Sequence, residues 1–349
     1  MIDVNLLKEI CETPGAPGFE HQIRQLILER IKDDVDECQV DAVGNILAVR
    51  RGQEDKRVLV AAHMDEISFI VTHIDDEGFL RFHTLGGFDP KTLTAQRVIV
   101  HGRRDLIGVM GSKPIHLMSP EERNKVPQTG DYFIDLGLEK VEVEEWVSIG
   151  DPVTRERTLI EMGDCINSKS LDNRVSVFIL IETLKRLKGK TLPYDLHAVF
   201  TVQEEVGLRG AMVASHQINP HFGLALDVTI AYDVPGAKPH EMVSKLGKGA
   251  AIKIMDASVI CDPRMVRYLK KIAGDHQIPW QPEILTAGGT DTAGLQRAGK
   301  NGSISGAISI PCRHVHQVIE MAHKKDIDAS IRLLENALLH LREFAWSWS

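Results

Sequence analysis

The feature that most constrains this chain is a change of hydrophobic rhythm that begins near residue 68 and reverts near residue 164. Outside that window the pattern is α/β. Leu6, Leu7 and Ile10 sit at helical spacing behind a capping Asp3, Thr13-Pro-Gly-Ala-Pro-Gly18 breaks the chain, and Phe19, Ile23, Leu26, Ile27 and Ile31 resume the helical period. Asn45-Ile-Leu-Ala-Val-Arg50 and Arg57-Val-Leu-Val-Ala-Ala62 follow; short apolar runs bounded by charge predict buried strands. Inside the window the segments are short and alternating: Phe69-Ile-Val-Thr-His-Ile74, Gly78-Phe-Leu-Arg-Phe82, Arg97-Val-Ile-Val-His101 and Ile107-Gly-Val-Met110, separated by turns and one capped helix at Ser119-Pro-Glu-Glu122. After residue 164 a helix behind Asp172, strands at 196–202, 223–227 and 306–310, and helices at 263–276 and 326–342 restore the α/β pattern. The expected fold class is therefore α/β, with the core (1–67 and 165–349) split in sequence by an inserted β-barrel or sandwich (68–164).

At 349 residues the chain is long for one core, which agrees with two modules. A net charge of −8 with no basic stripe excludes a nucleic-acid partner, and no apolar run approaches the roughly 18 residues that a membrane helix needs. The opening MIDVNLLKEI has neither a basic nor an apolar signal region, and the five scattered cysteines form no C-x-x-C; both predict a cytoplasmic chain with reduced thiols. We find no function for the Trp346-Ser-Trp348 tail.

Ligands in open α/β sheets bind beyond the carboxyl ends of the strands. Five segments at or near such ends carry acids or histidines: His63-Met-Asp65, Ser170-Leu-Asp172, Glu204-Glu205, Asp227, and His314-Val-His316. Each has an ordinary reading, such as a surface ion pair for His63 or a helix cap for Asp172. Together they form an oxygen-rich set with imidazoles, suited to Zn²⁺, Co²⁺ or Mn²⁺ rather than a thiolate site. The set exceeds the four ligands of one tetrahedral ion and fits two ions bridged by a carboxylate, with a spare carboxylate as general base. Adjacent residues of an extended segment diverge, so Glu204 and Glu205 are expected to play different roles, while Asp65 can orient the His63 ring from two residues away. No G-x-S-x-G, H-E-x-x-H or Walker motif is present, and Thr286-Ala-Gly-Gly-Thr-Asp291 reads as a pocket-lining loop.

The segments Pro14-Gly-Ala-Pro-Gly-Phe-Glu20, Ala62-His-Met-Asp-Glu66, Ser170-Leu-Asp-Asn-Arg174, Gln203-Glu-Glu-Val-Gly-Leu-Arg-Gly210, Leu226-Asp-Val228, Gly288-Gly-Thr-Asp291 and Ile308-Ser-Ile-Pro-Cys-Arg-His-Val-His316 span essentially the whole chain. In this order they resemble the tetrahedral, or glutamyl, aminopeptidase family of dinuclear metallopeptidases, some of whose relatives carry deblocking-aminopeptidase or endoglucanase labels. The resemblance implies an α/β/α metallopeptidase core with a mixed sheet. It implies two divalent ions per chain, Zn²⁺ or Co²⁺: Asp172 bridges them, His63 and Asp227 hold one, and Glu205 and His316 the other. Glu204 is then the general base and Asp65 the orienter of His63. The inserted domain becomes a dimerisation module, with six dimers able to build a hollow dodecamer. The chain departs from the family pattern at Ser68, Asn173, Thr292, His314 and Gln317; none is a proposed ligand, but these positions border the expected pocket and weaken any transfer of substrate preference.

The expected function is removal of N-terminal residues from peptides. A related dinuclear carboxypeptidase or amide deacylase is the nearest alternative, which an N-acetylated peptide assayed beside its free-amine form separates. A glycosidase using Glu204 and Glu205 is another; it normally needs no metal and wants carboxylates roughly 5–9.5 Å apart across a sugar, so chelators distinguish it. A non-enzymatic assembly protein is disfavoured, because buried carboxylates without a task cost stability.

Overall fold

The computed structural model describes residues 2–348. The core is an 11-stranded mixed sheet. Its centre is parallel: Leu192–Thr201 pairs with Gly52–His63, which pairs with Phe222–Ile230, which pairs with Ile304–Arg313. Antiparallel strands flank this centre, with Ile46–Arg50 and Glu37–Val40 on one side and Glu320–His323, Cys165–Ser168 and Ile160–Met162 on the other. Ala250–Met255 and Trp280–Ile284 branch from Ile304–Arg313.

The run after Arg57 is apolar throughout because both faces of its strand are covered. Val58, Val60 and Ala62 join the larger core, under the helices Val4–Glu12, His21–Ile31, Leu171–Leu187 and Lys324–His340. Leu59 and Ala61 point the other way, into a smaller cluster with Ala211, Ala214 and Leu295 of the helices Arg209–Ile218 and Thr292–Arg297. The period of two in a strand divides one apolar run between two layers. Asp3 accepts from the Leu6 N–H at 3.1 Å and starts the first helix where the sequence placed it.

The inserted segment closes into a six-stranded antiparallel barrel in the order Ser68–Ile74, Leu80–Leu85, Tyr132–Asp135, Asp105–Ser112, Arg97–His101, Pro152–Arg155. It has its own core of Phe69, Val71, Leu80, Val98, Val100, Ile134 and Val153. Ser119 caps the short helix Pro120–Asn124 through a reciprocal pair with Glu122. The last barrel strand ends at Arg155, and Ile160–Met162 already belongs to the large sheet. Among the described residues no helix is long and apolar enough to cross a membrane.

Candidate active site

Register brings His63 and Asp227 together. The strand Gly52–His63 lies parallel to Phe222–Ile230 with Ala62 opposite Leu226, so His63 and Asp227 follow at the same level. Both alternate onto the face of Ala61 and Ala225, away from the larger core. The His63 Nε2 is 3.8 Å from an Asp227 oxygen. The sequence suggested that the Asp227 strand stops at the acid; it continues to Ile230, so Asp227 is held inside the sheet rather than in a turn.

Asp172 stands at the mouth of the helix Leu171–Leu187, but its dihedrals, and those of Asn173, are not helical. Its carboxylate faces both histidines: one oxygen is 3.3 Å from His63 Nε2, the other 3.2 Å from His316 Nε2. His316 Nε2 also lies 3.4 Å from Glu205. His316 follows the strand Ile304–Arg313 in a turn where both His314 and His316 have positive φ. Two groups of potential ligand atoms result, His63–Asp172–Asp227 and Asp172–Glu205–His316, each with its atoms within 4.8 Å of one another. Asp172 belongs to both. Glu205 Oε1 is buried without a hydrogen-bond partner, which a cation would relieve.

Glu204 and Glu205 lie beyond the strand, which ends at Thr201; Gln203 has positive φ and turns the chain. The turn, rather than strand alternation, is what separates the two glutamates. The Asp65 carboxylate accepts from both of their N–H groups, at 3.0 and 3.2 Å, and lies 3.5 Å from His63 Nδ1. Asp65 also presents its backbone carbonyl to that nitrogen at 3.2 Å. Glu204 reaches 3.8 Å from His63 Nε2 and belongs to neither ligand group.

The electrostatics follow from crowding acids in a buried place. Burial pushes the Glu204 carboxyl well above the usual range, with Asp227 and Glu205 adding to the rise against the pull of His63. Burial with Asp172 pushes Glu205 up to about 8, and burial also lifts Asp227 far above normal. Burial works against charge on the histidines too, yet the surrounding carboxylates raise His63 and carry His316 up to about 10. Asp172, pressed between two imidazoles, stays low despite its burial. Such a cluster demands positive charge, from protons or from cations.

The ligand groups open onto a cavity of about 470 Å³, lined also by Val228, Ile230, Leu285, Gly288, Gly289, Thr290, Lys253 and Asp256. The Gly-Gly-Thr loop thus takes the pocket-lining place expected of it. The barrel contributes Gly87, where a Cβ would stand 3.4 Å from the His316 ring.

Several residues around the cluster were given no individual role from the sequence. Glu320 is buried and accepts from the backbone N–H groups of both Asp172 and His316. Asp291 accepts from Thr201 Oγ1 at 2.5 Å and leaves its other oxygen buried and unpartnered. Glu66, next to Asp65, is clamped by Lys169 and Ser170, while Arg174 nearby ties the helix to the carbonyls of Ile10 and Thr13. Glu66, Arg174 and Asp291 close motifs quoted from the sequence, while Lys169 and Glu320 lie outside them; spacing along the chain does not say which of these turn inward.

The signature of the M42 glutamyl aminopeptidases matches residues 44–333. This chain belongs to that family. It is a peptide hydrolase of the aminopeptidase class. The lysyl aminopeptidase of Pyrococcus furiosus is 34% identical over 351 residues, covering 98% of this chain and 98% of that one. The TET aminopeptidase of a marine sediment archaeon of the Thaumarchaeota has a closely similar structure, with a TM-score of 0.94, 36% identity, and coverage of 97% of this chain and 96% of that one. The TET1 peptidase of Pyrococcus horikoshii, which can assemble into a tetrahedron or a large octahedral shell, gives 0.87, 34% identity, and coverage of 96% and 99%. These M42 matches bear out the resemblance read from the sequence, including the mixed-sheet core carrying a small barrel.

Proposed function

We propose that this M42 chain removes N-terminal residues from peptides at a centre of two divalent ions, Zn²⁺ or Co²⁺. The observation that carries the reading is the pair of ligand groups sharing Asp172. His63 and Asp227 would hold one ion, Glu205 and His316 the other, with Asp172 between them. All five donors are oxygen or imidazole nitrogen, as these ions prefer, and the unpartnered Glu205 oxygen fits a cation. When bound, such ions act as Lewis acids that polarise a scissile carbonyl and make water nucleophilic near neutral pH.

The rest of the work falls to the chain. Glu204 takes the proton released as water attacks and passes it to the leaving amine. Asp65 fixes the Glu204–Glu205 turn through two N–H groups and steadies the His63 ring. The cavity walls of Val228, Ile230 and Leu285 exclude water around the first side chain of the peptide. Five free cysteines accord with a reducing cytoplasm.

A panel of aminoacyl chromogenic substrates, assayed on metal-stripped protein reloaded with Zn²⁺, Co²⁺ or Mn²⁺, tests this reading. Activity should return with the ions and vanish on N-acetylated substrates. Equal hydrolysis of the acetylated form would make the enzyme a deacylase or endopeptidase instead.

The barrel is proposed as the dimerisation module, with dimers building a dodecamer as the shell-forming relative's assemblies suggest. Exposed Ile107, Val109, Ile115 and Leu117 on and beside its strands give it apolar surface to bury. Light scattering is expected to give a mass at least twice that of the 38.8 kDa chain. A fully active monomer at all concentrations would refute the assignment.

A further inference from the structure

The backbone of His316 is held on both sides of its Cα. Its N–H donates to Glu320 Oε1 at 2.8 Å, and its carbonyl accepts from Arg155 at 3.3 Å. The other oxygen of Glu320 accepts from the N–H of Asp172 at 2.9 Å. One buried carboxylate therefore ties together the backbones of two residues that lie far apart in the sequence. Each backbone gives that carboxylate an N–H with no regular partner. His316 has φ of +65°, a conformation that L side chains rarely adopt, and Asp172 takes an extended rather than a helical conformation, so its N–H has no partner in the helix. Neither N–H has a place in a regular ladder or helix. Glu320 itself belongs to neither ligand group, and each of its oxygens accepts from a backbone N–H. Arg155 comes from the last strand of the barrel, is nearly inaccessible, and lies over the Phe88 ring, beside the Gly87 that borders the cavity.

We infer that Glu320 and Arg155 are positioning residues that fix His316 and Asp172 as ligands, Arg155 making the inserted barrel a structural part of the metal centre. The inference rests on the dinuclear reading above. It assigns the ion between Asp172, Glu205 and His316 the greater dependence on this clamp. Two of that ion's three protein ligands are tied by Glu320, whereas the His63–Asp172–Asp227 ion has only one so tied. The barrel then does more than present a surface to a second copy: its Arg155 sets the place of a ligand.

The test uses the full chain, stripped of metal and titrated with CoCl₂ by calorimetry and visible absorption. Glu320→Gln keeps the shape of the side chain, but its amide nitrogen cannot accept the second N–H. In a His63→Ala background, which isolates the Glu205–His316 ion, Glu320→Gln should weaken Co²⁺ binding by about 10–100-fold and alter the visible bands, as loss of a ligand's supporting hydrogen bond typically does. In a His316→Ala background, which isolates the other ion, the loss should be smaller. Arg155→Met should weaken the same ion selectively, and Arg155→Lys, which restores one donor, should recover part of the loss. Should Glu320→Gln fail to fold, the Arg155 pair carries the comparison. Equal losses in both backgrounds, or unchanged Co²⁺ affinity in folded Glu320→Gln or Arg155→Met protein, would overturn the inference. A wild-type chain that binds fewer than two Co²⁺ would instead refute the dinuclear reading, and this inference with it.

Discussion

Glu204→Gln should lower turnover by at least about 10²–10⁴-fold while both ions remain bound. Gln matches Glu in size, so the turn held by Asp65 is preserved; that turn depends on the N–H groups of residues 204 and 205 rather than on the Glu204 side chain. What is lost is a group that accepts a proton. Glu204 borders the cavity beside the ligand groups but is a member of neither, which is where a base is useful and a ligand is not required. Steady-state kinetics alongside elemental analysis of the same preparation check the result. If the variant lost an ion and recovered its rate when excess metal was added, Glu204 would be a ligand and the proton would have to be carried elsewhere.

Asp172→Ala should release both ions together, whereas His63→Ala should weaken mainly one. The two oxygens of Asp172 face different histidines at 3.3 and 3.2 Å, so one truncation removes a donor from each ligand group. It also leaves His63 and His316 without the carboxylate that lies closest to both, amid the remaining buried acids. Activity should therefore be essentially abolished and should not return at metal concentrations that restore His63→Ala. Metal content after equilibrium dialysis distinguishes the cases. An Asp172→Ala chain that keeps one ion at wild-type affinity would show that the two groups do not share this residue.

The alternating segments of residues 68–164 announced a β module because turns and a period of two are local properties. Four of the barrel's strands fall on the segments picked out by alternation. Tyr132–Asp135 and Pro152–Arg155 were not picked out by alternation, and only their pairing with other strands makes them part of a closed barrel. The apolar run ending at Ala62 declared itself a central strand for the same local reason, since two buried faces leave no polar alternation. Asp227 was legible as an unusual acid, but its strand was read as too short; an acid amid apolar residues looks like an end when the sheet that surrounds it cannot be seen.

The motifs around His63, Asp172, Glu204, Glu205, Asp227 and His316 were enough by themselves to indicate the family, because they are particular residue types in a particular order along the chain. The tertiary structure alone shows how they meet. Parallel register levels His63 with Asp227, the positive φ at Gln203 turns the two glutamates apart, and Asp65 spends its carboxylate on backbone N–H groups. Glu320 and Arg155 illustrate the limit most clearly. They act through backbone N–H and C=O groups, which every non-proline residue possesses, so no motif marks their partners in the sequence; only the folded chain shows a barrel arginine and a strand glutamate closing on one histidine.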